Sequence, residues 1–396
     1  MKKLKKIATV SILASSIFAF TGCAPNQPAA PSPEPQTPTA DSPAEEAGGV
    51  EGFVGIVLPT MDEPRWQHDR DRFEAALADT NFSFETLFSQ DDPALERNNV
   101  EALIARGIDV LIITPVDGDA AAAAAELARD AGVVVISHDR LIMGTDAIDY
   151  FVTFDSHEVG REQGRYLANQ IEPGSTGNPL YIFTGSPADN NAFLFFEGAW
   201  EILRPLVADG TFTVMNSSVA TGFADNENLT RAELSQILDQ TTTMWDADTA
   251  FNLAQSNLTA VGPEGKGRVY ILCPNDGTAL SIALAFQQDP DITEYFITGQ
   301  DADPANVQAI IDGIQQMTVF KDVRTLVSDS LSVATSLLEG APVITNGSFD
   351  NGVFEVPSLL SQVVAVDRYN LIAELIAGDG YYSADMFVFP EDFPGL

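Results

Sequence analysis

The chain of 396 residues has very little positive charge outside its first few positions. It contains 20 Lys+Arg against 57 Asp+Glu, a formal net charge of −37. Four of the six lysines lie within the first six residues, which leaves only Lys266 and Lys321 in the rest of the chain. Proteins that bind nucleic-acid backbones depend on Lys and Arg to release counterions. The composition therefore excludes a nucleic-acid-binding protein.

Cysteine and histidine are also scarce. The two cysteines are Cys23 and Cys273, and the three histidines are far apart in the sequence: His68, His138 and His157. Zinc sites require three or four such ligands at close spacing. We therefore predict no metal centre, no Cys/His catalytic site and no cofactor. Cys273 lies in an apolar run, so we expect it to be a small buried side chain.

The N-terminus is typical of a secretory signal. Four lysines precede an apolar stretch at residues 7–20, and Phe20-Thr21-Gly22-Cys23 follows. An apolar stretch of this length is too short to span a membrane as a mature helix. The sequence around Cys23 resembles a bacterial lipobox, which implies that residues 1–22 are removed and that Cys23 carries a diacylglycerol. The alternative is an ordinary signal peptide with an incidental cysteine. Either reading places the mature chain outside the cytoplasm, and the lipobox predicts a lipid anchor to the cell membrane.

Residues 23–49 are predicted to form a disordered tether behind this cysteine. The segment contains seven prolines and no aromatic or large aliphatic residue. Such a composition cannot bury enough surface to order itself, and proline keeps the chain extended. The remaining residues are rich in hydrophobic side chains, including 24 Phe in the whole chain, so a large core and about two domains are expected.

From residue 50 onward, short apolar runs alternate with helical patterns. Runs of three to six apolar residues without polar alternation suit strands that are buried on both faces, as in a parallel sheet. We therefore predict a doubly wound α/β fold. The predicted strands are residues 53–58, 110–113, 133–136, 181–183, 269–272, 295–297 and 317–320.

Polar and charged side chains follow six of these strands. Ligands of such folds bind beyond the carboxyl ends of the strands, so these side chains are candidates for a binding site. They stand in the segments Asp62-Glu63-Pro64-Arg65-Trp66, Ser137-His138-Asp139-Arg140, Asp189-Asn190-Asn191, Asn275-Asp276, Gln300-Asp301 and Lys321-Asp322.

This combination suits a pyranose. A sugar ring presents hydroxyls around its rim and apolar C–H groups on its two faces, so its site needs carboxylates, amides, fixed cations and flat aromatic rings. Taken one by one, the same residues also suit a surface ion pair, a turn or a core tryptophan; only their convergence favours a site. The candidates for the rim are Asp139, Arg140, Asn275, Asp301 and Lys321, and those for the faces are Trp66 and Trp245.

These motifs also resemble a known family. The body is similar to the type I periplasmic sugar-binding proteins of ABC transporters, and most similar to their D-xylose-binding and multiple-monosaccharide-binding branch. The resemblance covers about residues 54–386, with His138 standing where Tyr is common. It rests on Pro64-Arg65-Trp66, His138-Asp139-Arg140, Thr153-Phe154-Asp155, residues 185–192, Asn275-Asp276, residues 299–302, residues 317–321, Asn351-Gly352-Val353 and residues 356–360.

The resemblance implies two parallel-sheet lobes joined by a hinge of three crossings, with the sugar enclosed between them. One lobe would comprise residues 50–155 and 322–360, the other residues 156–321 and 361–396. Asn190 and Asn191 remain alternatives for one sugar contact. The implied ligand contacts are Arg65, Trp66, Asp139, Arg140, Asn190 or Asn191, Asn275, Asp301 and Lys321, and Trp245 is added from its position and type.

The sequence thus predicts an extracytoplasmic aldose-binding protein that acts as a monomer and delivers its sugar to an ABC permease with a separate ATPase subunit. The alternative is a sugar-sensing component of a signalling or chemotaxis system. A glycosidase would use paired carboxylates, but here the acids accompany Arg, Lys and Asn, so we predict that the chain is not an enzyme.

Overall fold

The computed structural model describes residues 51–78, 80–378 and 380–395. The predicted signal peptide, the lipidation site at Cys23 and the tether lie outside these residues. The strands of the described part are β1 (Gly52–Leu58), β2 (Phe82–Phe88), β3 (Val110–Ile113), β4 (Val134–His138), β5 (Tyr150–Phe154), β6 (Asn178–Ile182), β7 (Phe212–Val214), β8 (Gly267–Leu272), β9 (Ile292–Ile297), β10 (Met317–Lys321), β11 (Gly347–Asp350), β12 (Glu355–Ser361) and β13 (Val363–Asp367).

The helices follow the strands in the alternation that the sequence predicts. Short 3₁₀ turns occur at Pro263–Gly265 and Ala384–Met386, and a π-helical turn at Ile372–Ile376. The α-helices are α1 (Pro64–Leu77), α2 (Pro93–Arg106), α3 (Ala122–Asp130), α4 (Ser156–Asn169), α5 (Asn190–Ala208), α6 (Ser218–Gly222), α7 (Arg231–Thr241), α8 (Ala247–Ala260), α9 (Asp276–Gln288), α10 (Pro304–Asp312) and α11 (Val323–Glu339).

The larger sheet has seven strands in the order β11-β12-β5-β4-β3-β1-β2. All neighbours are parallel except the β11–β12 pair. The strand order reverses direction between β1 and β3, which is the switch point where ligands bind in doubly wound folds. The four residues of β3 are fully buried, as expected for a central strand covered by helices on both faces.

A second sheet repeats this topology. Its four parallel strands have the order β7-β6-β8-β9, with a switch point between β6 and β8. The antiparallel β10–β13 pair adjoins the loop after β9 through a bridge between Gln300 and Val319. The predicted α/β class with two doubly wound parallel sheets is confirmed. The chain leaves the seven-stranded sheet after β5, returns to it after β10 and leaves it again after β12.

Helix α5 is placed by an unusually close contact with α4. A Cβ atom on Gly160 would lie 1.9 Å from the backbone oxygen of Phe195, and one on Gly198 would lie 2.0 Å from that of His157. Only glycine therefore allows the two helix backbones to approach this closely. The contact sets the position of the first turns of α5, which carry side chains of the site described below.

No helix in the described residues is long and apolar enough to cross a membrane.

Candidate functional site

One cavity is lined mainly by side chains at the ends of six different strands. Some of the lining residues lie directly after β1, β4 and β9 or at the end of β10. Others lie in the first turns of α1 and α5, at the N-cap of α9, or just before α8. The lining residues are Glu63, Arg65, Trp66, Asp139, Arg140, Asp189, Asn191, Phe195, Trp245, Asn275, Gln300, Asp301 and Lys321.

Local sequence explains why these side chains lie at the ends of strands. Pro64 occupies the first turn of α1, where its missing N–H costs nothing, and Arg65 and Trp66 follow it. The side chain of Asp189 caps α5 by accepting from the amide of Asn191, and the side chain of Asn275 caps α9 by accepting from the amide of Thr278. The same residues that begin the helices therefore face the cavity.

Nine of the ten residues predicted from the sequence line this cavity, and Asn190 does not. The Oδ1 of Asn190 instead accepts a hydrogen bond of 2.7 Å from Arg231. Of the two alternatives, the structure thus brings Asn191 to the cavity. Whether the nine residues contact a ligand remains a prediction.

Four cavity residues were not predicted as contacts from the sequence: Glu63, Asp189, Phe195 and Gln300. Three of them stand in the strand-end segments that the sequence did single out, within two residues of a predicted contact. Phe195 lies on α5, four residues after Asn191, where helical spacing puts both on one face. That spacing was the only available signal for Phe195.

Arg65 is the centre of a buried network of ion pairs. Its Nη2 donates to Asp139 at 2.7 Å, and its Nη1 lies 3.4 Å from Oδ1 of Asp301. Lys321 donates to the same Asp301 oxygen at 2.7 Å. Burial would raise the pKa of Asp139, but Arg65 and then Lys321 outweigh it and hold that pKa below its usual range. Asp139 and Asp301 are therefore each paired with a fixed cation.

Arg140 organises the other end of the cavity. Its Nε lies 3.1 Å from Asp189 and its Nη2 lies 3.6 Å from Glu63, while its Nη1 donates to the carbonyl of Pro115 at 3.3 Å. Burial raises the pKa of Glu63 from 4.5 to about 7, against the opposing effect of Arg140. Burial also raises the pKa of Asp189, which Arg140 partly offsets.

Aromatic rings form part of the cavity wall. The guanidinium groups of Arg65 and Arg140 lie 5.0 and 4.9 Å from the ring centroid of Trp66, which fits cation–π contacts. Trp245 meets Phe195 edge to face at 6.4 Å, and Lys321 Nζ lies 5.7 Å from the Phe195 ring. Aromatic side chains thus come from three separate parts of the chain.

Three cavity residues have strained backbones. Asp139, Trp245 and Asp301 have φ angles of 61°, 62° and 104°, which residues other than glycine rarely adopt. Two hydrogen bonds hold Asp139 in this backbone conformation, because its amide donates to the carbonyl of Val152 and its carbonyl accepts from the side chain of Asn191. Strain of this kind is concentrated at binding sites, where it directs side chains.

The chemistry of this arrangement is hydrogen bonding. Carboxylates, amides and cations converge with their charges already paired, which suits recognition of a neutral polyhydroxyl ligand. Cys273, just outside the cavity, is fully buried, and burial raises the pKa of its thiol to about 12. Its thiol is therefore unreactive, in keeping with the buried cysteine predicted.

The sequence pattern of the periplasmic binding protein domain matches residues 54–342. The chain belongs to the periplasmic binding protein family. Among its relatives, the multiple sugar-binding periplasmic receptor ChvE of Rhizobium radiobacter is 32% identical over 348 residues, covering 84% of this chain and 92% of the relative. The D-xylose-binding periplasmic protein of Haemophilus influenzae is 29% identical and covers 84% of this chain and 91% of the relative.

A solved structure of the same family extends this similarity. The carbohydrate transporter solute binding protein of Chloroflexus aurantiacus, in complex with D-glucose, is 56% identical, covers 87% of this chain and 100% of that chain, and superposes with a TM-score of 0.84. The resemblance and the expectation that the chain is a binding protein rather than an enzyme are both confirmed by these family members.

Proposed function

We propose that this protein is an extracytoplasmic receptor that binds a monosaccharide and delivers it to an ABC transporter. The observation that carries the proposal is a cavity in which carboxylates, amides, Arg, Lys and tryptophan converge from both parallel sheets. The relatives named above support it, because their printed descriptions are of sugar-binding receptors and one is in complex with D-glucose.

In this proposal the charged side chains of the cavity form hydrogen bonds with the sugar hydroxyls. Asp139 and Asp301 accept hydrogen bonds from hydroxyls, while Arg65, Arg140, Lys321, Asn191 and Asn275 complete the rim, and Trp66 and Trp245 face the apolar sides of the ring. Because Arg65 already holds Asp139 charged, the carboxylate is a strong acceptor at neutral pH. Glu63, Asp189 and Gln300 are further candidates for hydroxyl contacts.

We further propose that the two sheets are the cores of two lobes, residues 50–155 with 322–360 and residues 156–321 with 361–396. Arg65 and Asp139 would then belong to one lobe, and Asp301 and Lys321 to the other or to the hinge. Sugar bound by one lobe would gain its remaining hydrogen bonds on closure, so the closed state would have the higher affinity.

The transport partners and the anchor are part of the proposal. A permease would receive the sugar, and a separate ATPase subunit would hydrolyse ATP. The chain itself has no recognisable phosphate loop, because Gly267 follows Lys266 where such a loop needs Ser or Thr. A diacylglycerol on Cys23 would hold the receptor at the membrane. Mass spectrometry of the protein from the membrane fraction should find Cys23 as the N-terminal residue carrying a diacylglycerol, and an unmodified Cys23 would contradict the anchor.

A thermal-shift panel tests the proposal. Xylose, glucose, galactose, arabinose and ribose should be added separately to the protein, and at least one should raise the unfolding temperature, because a ligand that binds only the folded state stabilises it. Sucrose at equal concentration controls for nonspecific solute effects. The absence of a specific shift with all five sugars would contradict monosaccharide binding.

A further inference from the structure

A buried chain of three polar side chains extends from Arg65 into the protein interior. Asp69 accepts from Arg65 Nε at 2.6 Å and lies 3.3 Å from Arg65 Nη2. His138 Nε2 lies 3.0 Å from the same carboxylate, and His138 Nδ1 lies 2.8 Å from the hydroxyl of Ser330. All three side chains are fully buried, and none of them lines the cavity.

We infer that Asp69, His138 and Ser330 are positioning residues that fix the guanidinium of Arg65 for sugar binding. This inference rests on the proposed function. We call these three residues the support chain of Arg65.

The geometry of the guanidinium explains how the support chain acts. A guanidinium has five N–H donors in one plane, and a two-point contact with a carboxylate fixes the orientation of that plane. Asp69 uses Nε and part of Nη2, which leaves Nη1 and the rest of Nη2 for Asp139 and Asp301. The rings of Trp66 and Phe154, 5.0 and 5.6 Å from the guanidinium carbon, restrict it further.

His138 is suited to its place because it bridges two partners. Its two ring nitrogens reach Asp69 on α1 and Ser330 on α11, while its ring packs against Phe73 at 5.1 Å. Burial would raise the pKa of Asp69, but Arg65 and His138 outweigh it and hold that pKa below its usual range. The carboxylate therefore stays charged, and the support chain ties the sugar-facing guanidinium to a helix that does not line the cavity.

A double-mutant cycle separates positioning from a merely structural role. We expect Asp69→Asn to weaken the affinity for D-glucose or D-xylose about tenfold by calorimetry when Arg65 is present, because the amide removes the charge that orients Arg65. In the Arg65→Lys background the same change should alter affinity less than about twofold, since Lys has no plane to orient. Equal losses in both backgrounds would overturn the inference.

Further variants control for effects on folding that are unrelated to Arg65. Asp71→Asn, on the exposed side of the same helix, should leave affinity unchanged, because Asp71 pairs with Arg70 and not with the cavity. His138→Gln keeps a donor and an acceptor and should retain more affinity than His138→Phe. Variants that lower only the unfolding temperature, with affinity within about twofold of wild type, would overturn the positioning role.

The exchange of the Arg65 Nε–H with solvent gives a second readout that needs no sugar. Its NMR signal should be protected in the wild type and lose protection in Ser330→Ala, the mildest variant, and more so in His138→Phe. Unchanged protection in both would contradict the inference. A wild type that binds none of the five sugars of the thermal-shift panel overturns the proposed function, whereas wild-type binding with unaffected variants overturns only the support chain.

Discussion

Arg65 and Asp301 lie 3.4 Å apart although they come from different sheets. Arg65 is in the first turn of α1, after a strand of the seven-stranded sheet, and Asp301 follows β9 of the four-stranded sheet. Because both side chains are almost fully buried, this pair connects the two halves of the cavity through charge rather than through apolar packing. A sugar bound here would contact groups from both sheets at once.

The first prediction concerns the partner of Arg65 in the cavity. Asp139→Ala should weaken aldose binding about fivefold to 150-fold, because it removes a hydroxyl acceptor and takes one partner from the buried Arg65 guanidinium, at a cost of roughly 1–3 kcal/mol. Calorimetry measures the change. Asp146→Ala, which breaks only the exposed pair with Arg129, is the matched control. Unchanged affinity in Asp139→Ala would remove this residue from the site.

The second prediction uses tryptophan fluorescence, since the chain has three tryptophans and two of them line the cavity. Sugar should change the emission of the wild type. Trp66→Phe or Trp245→Phe should reduce that change, while Trp200→Phe should preserve it, because Trp200 stacks on Phe196 in the core. A change that depends only on Trp200 would contradict the aromatic faces assigned to the site.

The third prediction tests the placement of Trp245 through its neighbour Gly185. A Cβ on Gly185 would lie 2.0 Å from two ring atoms of Trp245, so Gly185→Ala must displace the ring. We expect sugar affinity to fall about tenfold or more, since stacking on the displaced ring is lost. Gly222→Ala, which meets open space, is the matched control. Equal affinity in both variants would mean that Trp245 makes no contact with sugar.

The fourth prediction concerns pH. Burial raises the pKa of Glu96 from 4.5 to about 7, although its carboxylate accepts a hydrogen bond of 2.7 Å from the amide of Val116. The folded protein therefore binds more protons than the unfolded chain between about pH 4.5 and 7, and the stability from Glu96 is lost as pH rises through this range.

Glu96→Gln removes that titration. The free energy of unfolding of the wild type should fall between pH 5 and 8 by up to about 3 kcal/mol more than that of the variant, as chemical denaturation would measure. Glu101→Gln, which alters an exposed pair with Arg97, should follow the wild type. Parallel pH curves for wild type and Glu96→Gln would contradict the account of Glu96.

Much of the fold and of the candidate site follows from sequence for a simple reason. Central parallel strands are continuous apolar runs, and their ends are marked by the first polar residues, so β1, β4 and β8 and the cavity residues after them could be predicted together. Strands with partly exposed residues, such as β2 and β11, gave no comparable signal.

Side-chain direction could not be predicted in the same way. Asn190 and Asn191 are neighbours on one helix, and which of them faces the cavity depends on how α5 packs against α4, a tertiary contact set by Gly160 and Gly198. The support chain of Arg65 was equally hidden, because Asp69, His138 and Ser330 meet only after α1, β4 and α11 have packed together.

The most direct test of the account is a crystal structure of the protein with the aldose that gives the largest thermal shift. We predict one sugar ring in the cavity, with hydroxyls within hydrogen-bonding distance of Asp139, Asn275 and Asp301. A sugar bound elsewhere would contradict the assignment, for example in the surface groove lined by Tyr295, Arg368 and Tyr369.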